Sequence, residues 1–226
     1  MVKNLLNLFF PPVCEACNNA LTDNELVICT ICRHDLPVTN FHFDNADNVK
    51  KVVYGRVKLE QATALLHFSK RGVVQQLLHN LKYRGHQNIS GFLGRWLVAE
   101  LKTLKEYNQI DVVIPVPLYK TKLRQRGYNQ VEQFGKAIAE AINADYNDTV
   151  LIKTKPTKTK VFEGRLSRWN DDGAVFAISE DLSLRGKHIL LVDDIITTGA
   201  TAEACATELL KIDNIKLSLA TMAIAD

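Results

Sequence analysis

No uninterrupted apolar run in the 226 residues approaches the roughly 20 that a membrane-crossing helix requires, so membrane insertion is not expected. Net charge is equally scarce, +3 with histidine neutral, and by itself gives no reason to read a nucleic-acid protein. There is no internal repeat and no low-complexity tract. A secretory leader is not expected either: Lys3 and an apolar stretch over residues 5–10, shorter than a signal peptide's core, run into Pro11 and Pro12 without a small-residue cleavage site. A turn of helix packed on the body and a cytoplasmic location are expected instead. What is present is 46% hydrophobic and 23% charged residues, enough apolar content to build a core. The length suits one α/β domain with a small attachment, or two modest domains.

Four of the five cysteines, Cys14, Cys17, Cys29 and Cys32, form C-x2-C-x11-C-x2-C. Each close pair has zinc-knuckle spacing, and the two together supply four thiolates. A closed four-sulfur shell leaves no open position for catalysis, so a bound Zn would be structural. It would also hold together a segment too small to fold on its own core. Two disulfides, a duplicated redox C-x-x-C and an iron–sulfur centre are the alternatives. The first two fit poorly with a chain in which no secretory signal is expected. His34 is surplus to a complete shell and reads as a surface residue. Cys205 reads as a small core or interface residue rather than a nucleophile.

Periodicity organises the rest. Residues 1–37 are read as the knuckle, 38–50 as a polar linker and 51–226 as the main domain. Residues 52–55 and 64–68 resemble short strands. From Gly72, Val73, Val74, Leu77, Leu78 and Leu81 recur at helical spacing, and Lys82-Tyr83-Arg84-Gly85 supplies the cations and glycine that end a helix. A helix over about 90–106, a buried strand over 112–114, a helix over 127–143 and a last strand over Lys216–Ala225 follow. Alternation of strands and helices after residue 110 predicts an α/β fold with a mostly parallel sheet flanked by helices.

Residues 189–201, Ile-Leu-Leu-Val-Asp-Asp-Ile-Ile-Thr-Thr-Gly-Ala-Thr, are the most informative stretch. An apolar strand delivers Asp193 and Asp194 to its carboxyl end, where open α/β sheets place ligands. A hydroxyl- and glycine-rich turn follows, then a helix over about 202–211. Backbone N–H groups and threonine hydroxyls there suit a phosphate. Carboxylates beside a phosphate make sense if they accept bonds from a sugar diol or help hold Mg²⁺. The plainer alternative is a buried strand followed by an N-capped helix. A second constellation starts at Pro115-Val116-Pro117-Leu118. A stiff turn leads to Lys120, Lys122, Arg124 and Arg126, then Gly127-Tyr128-Asn129-Gln130 at a helix start. It is read either as another anion site, fitted to pyrophosphate, or as a solvated basic loop.

The 189–201 pattern resembles the 5-phosphoribosyl-1-pyrophosphate (PRPP) signature of the type I phosphoribosyltransferases. The resemblance implies ribose contacts from Asp193 and Asp194, the residues also assigned the catalytic clamp. It implies a 5-phosphate nest at Thr197, Thr198, Gly199, Ala200 and Thr201. Val116, Pro117 and Leu118, with Lys120 or Arg126, would serve the diphosphate, and Mg²⁺ would accompany PRPP. The ordered series of cysteine knuckle, Leu81-Lys82-Tyr83-Arg84-Gly85, Ile114-Pro115-Val116-Pro117, Arg126-Gly127-Tyr128-Asn129-Gln130 and the 193–201 loop resembles the ComF (ComFC/GntX) family across nearly the whole chain. That family implies a role in natural competence and DNA uptake, with a helicase-like partner.

One region departs from the family pattern, a basic hood over about 153–173. Thr157-Lys158-Thr159-Lys160 has lysine where glutamine is expected, and Asp171 stands where asparagine is expected, although Arg168 fits. Lys153, Lys155, Lys158, Lys160, Arg165 and Arg168 face a single acid, Glu163, within residues 153–168. They could close on the diphosphate, or follow single-stranded DNA with Phe162 or Trp169 as a stacking face. Two readings follow: a transferase moving phosphoribosyl to a nitrogen acceptor, or a non-catalytic PRPP or nucleotide sensor or single-stranded DNA accessory to a helicase.

Overall fold

The computed structural model describes residues 11–44, 47–156, 175–179 and 182–225. The turn expected over 5–10 and the hood residues Thr157, Lys158, Thr159, Lys160, Phe162, Glu163, Arg165, Arg168, Trp169 and Asp171 lie outside the described residues.

In chain order the elements begin with α1 (Thr30–His34), α2 (Asn48–Val52), β1 (Ala62–Phe68), α3 (Val73–Tyr83) and α4 (Asn88–Leu101). A 3₁₀ turn (Tyr107–Gln109) leads to β2 (Val112–Pro115), α5 (Lys120–Arg126), α6 (Glu132–Ile142) and β3 (Asp145–Tyr146). The antiparallel pair β4 (Leu151–Lys153) and β5 (Phe176–Ile178) precedes β6 (His188–Ile196), α7 (Ala200–Leu209) and β7 (Lys216–Ala225).

Five strands form a parallel sheet in the order β1-β7-β6-β2-β3. The apolar runs of β6 and β7 are buried on both sides, as strands covered by helices on both faces must be. On one face Leu65, Leu190, Val192 and Met222 pack against Leu77 and Leu81 of α3, Leu93 and Leu97 of α4, and Phe134 and Ile138 of α6. The cysteine segment joins this face through Cys14, Val27 and Ile28. On the other, Ala64, Ile114, Ile189, Leu191 and Leu219 meet Val49 of α2 and Ala202, Cys205 and Leu209 of α7. This is the α/β architecture, with its small N-terminal cysteine module, that the sequence predicts.

From β2 the chain moves outward to β3, and from β6 it moves the other way to β7. The strand order therefore reverses between β2 and β6, and α6 and α7 cover opposite faces. A crevice opens outside the carboxyl ends of strands at such a reversal, and ligands of open α/β sheets bind there.

Several local expectations are corrected. Residues 52–55 do not form a strand: α2 occupies Asn48–Val52, and Val49 and Val53 are fully buried beneath the sheet. The outer edge of β1 is already taken, since Thr39 N–H donates to Leu65 C=O (3.0 Å) and His67 N–H to Pro37 C=O (2.8 Å). The helix expected to 106 ends at Leu101. The basic loop is a helix, α5, stopped by Gly127 at φ 84° in the left-handed region that glycine adopts without penalty. The next helix, expected from Gly127, starts at Glu132. Strand β6 continues through the acidic pair to Ile196, and α7 begins at Ala200.

Candidate functional site

The acidic pair sits on β6 beside the reversal, and its two members serve opposite faces of the sheet. Asp194 is 4% exposed. Its Oδ1 accepts from Lys82 Nζ at 2.9 Å and its Oδ2 from Gln130 Nε2 at 2.7 Å. Asp193 faces the other way, towards the side of Lys153 and Cys205, and its Oδ1 accepts the Asp194 N–H at 2.8 Å. Burial first, and then the neighbouring Asp194 charge, push the Asp193 carboxyl up to about 7, with the bond from the Asp194 N–H and the Lys82 and Lys153 charges pulling against that rise. Among the described residues, one carboxylate is fully partnered and the other is not. An under-compensated carboxylate at a strand end favours a cation or hydroxyl donors from outside.

Asp193 lines a cavity of about 50 Å³ together with Ile195, residues 197–201 and Thr221. The loop leaves Thr197, Thr198, Ala200 and Thr201 exposed and buries Gly199. Gly199 has φ 76°, and a Cβ there would lie 2.6 Å from Val53 Cγ1 and 3.1 Å from Val52 Cγ1. The segment misread as a strand thus forms the floor of this loop. Arg56 fastens it from the same side: its Nη2 donates to Thr198 C=O at 3.0 Å and its guanidinium pairs with Glu203 in the first turn of α7. The ten-residue α7 follows, with first-turn N–H groups that have no partner within the helix.

The Val116-Pro117-Leu118 turn lies next to the acidic pair. Pro115 is in register with Val192, and Val116 N–H donates to Val192 C=O at 2.9 Å. Asn129 Nδ2 holds the turn by donating to Val116 C=O at 3.0 Å. Lys120 is exposed at the first residue of α5. Arg126 hydrogen-bonds Gln130, with its guanidinium 5.8 Å from the Tyr83 ring centre.

Four residues that sequence reasoning did not give these positions border the site. Lys82 was read only as a helix-end cation, yet it follows the buried Leu81 and so emerges at the core edge of α3. Gln130 was read as part of a helix start; it anchors Asp194. Lys153, read as a hood cation, is half-buried on β4 with Nζ 5.0 Å from the Phe176 ring centre. Burial pushes its ammonium below the ordinary lysine range, while Asp193 works in the opposite direction. Arg56 carried no signal, because its partners Thr198 and Glu203 lie more than a hundred residues away.

The four knuckle cysteines converge. Their Sγ atoms all lie within 4.8 Å of one another, with Cys14 buried and Cys17 exposed. Backbone N–H groups of Cys29 and Cys32 donate to Cys14 Sγ (3.3 Å) and Cys29 Sγ (3.4 Å), holding the sulfurs in place. Four soft donors around one point can hold a metal ion such as zinc. His34 is exposed, as expected, and Cys205 is fully buried. Glu15, between two of the ligands, ties the knuckle to the α3–α4 corner. Its carbonyl accepts from Asn80 Nδ2 (2.8 Å), and its carboxylate meets His86 Nδ1 and Asn88 Nδ2 (3.1 Å for the latter).

No helix among the described residues is long and apolar enough to cross a membrane.

No family profile matches the chain. A partial overlay on the crystal structure of an adenine phosphoribosyltransferase covers 67% of this chain and 75% of that one, with TM-score 0.40 and 17% identity. The chain is 25% identical over 203 residues to the DNA utilization protein YhgH of Escherichia coli (strain K12), covering 88% of this chain and 84% of that protein. It is 26% identical over 140 residues to competence protein F of Haemophilus influenzae, covering 60% of this chain and 61% of that one. The four-cysteine cluster and the parallel sheet thus occur in a chain whose sequence is similar to those of DNA utilization and competence proteins.

Proposed function

We propose that the chain binds PRPP with Mg²⁺ at the switch point and acts in DNA uptake or utilization, as the names of its relatives suggest. The observation that carries the first part is the meeting of a carboxylate under-compensated among the described residues, Asp193, with the Gly199-centred loop and the first turn of α7, which has no side-chain cap. Thr197, Thr198, Gly199, Ala200 and Thr201 hold the 5-phosphate. Asp193 accepts from the ribose hydroxyls, and Asp194 keeps Lys82 and Gln130 in place behind it. Val116, Pro117 and Leu118, with Lys120 or Arg126, face the diphosphate. The Asp193 carboxylate and the diphosphate itself would hold Mg²⁺, whose contribution is to neutralise charge on the leaving oxygens. Zinc at Cys14, Cys17, Cys29 and Cys32 is structural.

Transfer to a nitrogen acceptor would break the bond from ribose C1 to the diphosphate oxygen and form a bond from C1 to nitrogen, the nitrogen losing a proton. Positioning and electrostatics by the groups named carry that step. The test is calorimetric titration of zinc-loaded protein with PRPP and Mg²⁺, beside an Asp193→Asn variant. Micromolar binding that is lost in the variant is expected. Absence of binding by the folded wild type would overturn the PRPP reading.

A further inference from the structure

A cavity of about 190 Å³ lies between the end of α3 and the exposed side of α5, lined by Lys82, Tyr83, Lys122, Gln125, Arg126 and Tyr128 with the Gly85 backbone. Among the described residues, three cations and no carboxylate line it. Lys82 is committed to Asp194, but Lys122 and Arg126 have no acidic partner among the described residues. They lie one helical turn apart, so they share a face of α5. That helix buries none of its residues, which means the cations are not there to pack the core. Tyr83, at the opposite wall, is 69% exposed and stands beside the Arg126 guanidinium. Tyr128 is spoken for, its hydroxyl donating to Leu81 C=O, so it acts as a fixed wall.

Unpaired cations next to an exposed aromatic ring are what a phosphate joined to a base requires. We propose that this cavity is a nucleotide site adjoining the ribose-phosphate site, with Lys122 on the phosphate and Tyr83 against the base, and with Arg126 on the border between the two. The inference goes beyond the PRPP reading and does not depend on it. The nucleotide is either free or the end of a single strand.

The experiment titrates the full zinc-loaded chain with thymidine 5′-monophosphate, with a 5′-phosphorylated oligothymidylate, with the same oligomer lacking that phosphate, and with inorganic pyrophosphate. Wild type is compared with Tyr83→Ala and Lys122→Ala, both at exposed positions. Each substitution should weaken nucleotide binding about tenfold or more and leave Mg²⁺–PRPP affinity within about twofold. A preference for the mononucleotide identifies a free ligand, and a preference for the phosphorylated oligomer a strand end; either supports the site. Pyrophosphate binding as tightly as the nucleotide with Tyr83→Ala silent, or PRPP affinity falling in parallel with nucleotide affinity, would show an anion seat of the PRPP site and overturn the proposal. So would nucleotide binding that neither substitution alters, or the absence of nucleotide binding.

Discussion

Lys82 Nζ and Asp194 Oδ1 meet at 2.9 Å across 112 residues of sequence, joining the end of α3 to the strand that carries the acidic pair. Lys82 is 22% exposed in its side chain and Asp194 6%, so the pair is largely withdrawn from water. Removing the cation leaves a buried carboxylate with Gln130 alone. Lys82→Met should therefore cost about 2–4 kcal/mol, read as a lower urea midpoint, and Lys82→Met/Asp194→Asn should recover much of the loss. A single variant as stable as wild type would show that the pair contributes nothing.

Asp193 gives the free protein a pH dependence. Its carboxyl holds a proton to about pH 7 in the fold, against an ordinary value of 3.8. A raised folded value means the stabilisation is complete below the unfolded value and is lost as pH rises through the folded one. Between about pH 4 and 7 this residue therefore makes the unliganded fold progressively less stable. Asp193→Asn should shrink the difference in urea midpoint between pH 5 and pH 8. An unchanged difference would mean the carboxyl ionises at its ordinary value.

At Gly199 strain and crowding act together. Alanine would have to hold φ 76° and place a methyl 2.6 Å from Val53 Cγ1. Gly199→Ala should destabilise by about 1–3 kcal/mol and weaken PRPP binding tenfold or more by moving the loop off the Val52–Val53 floor. Full affinity in this variant, measured by calorimetry, would remove the loop from the phosphate-binding role.

Metal removal should reach beyond the knuckle. Elemental analysis of the folded protein is expected to give one zinc per chain. Chelation should lower the melting temperature by several degrees, because metal binding to such a segment is part of its folding free energy. Through Glu15, the loss should also speed amide exchange over residues 80–88, where Asn80, His86 and Asn88 are held. Exchange confined to residues 13–36 would show that the Glu15 contacts do not transmit it.

The sequence was most legible where one residue type allowed one environment. The apolar ladder of β7 reads as a strand over the same residues it occupies, and the cysteine spacing anticipates a four-sulfur cluster. The Val-Val-Tyr run at 52–54 misled, because β-branched residues suit strands but the ladder edge they needed was filled by residues 37–39. The basic segment 120–126 was legible in principle. Its Lys, Arg, Gln and Leu residues favour helix, and Gly127 is the stop signal of that helix rather than the start of the next. The division of labour between Asp193 and Asp194 was not legible, because it rests on Lys82 and Gln130, which only the folded chain brings to the same carboxylate.

The closure of β1 by residues 37–39 bears on how the molecule behaves in company. At the other end of the five-stranded sheet, β3 is two residues long and begins with the exposed charge of Asp145. Neither margin of that sheet offers a long row of unclaimed amides to a neighbour, and a charged, abbreviated margin is how sheet proteins avoid templating strand addition. Crowding many copies together should therefore not extend this sheet from one molecule into the next.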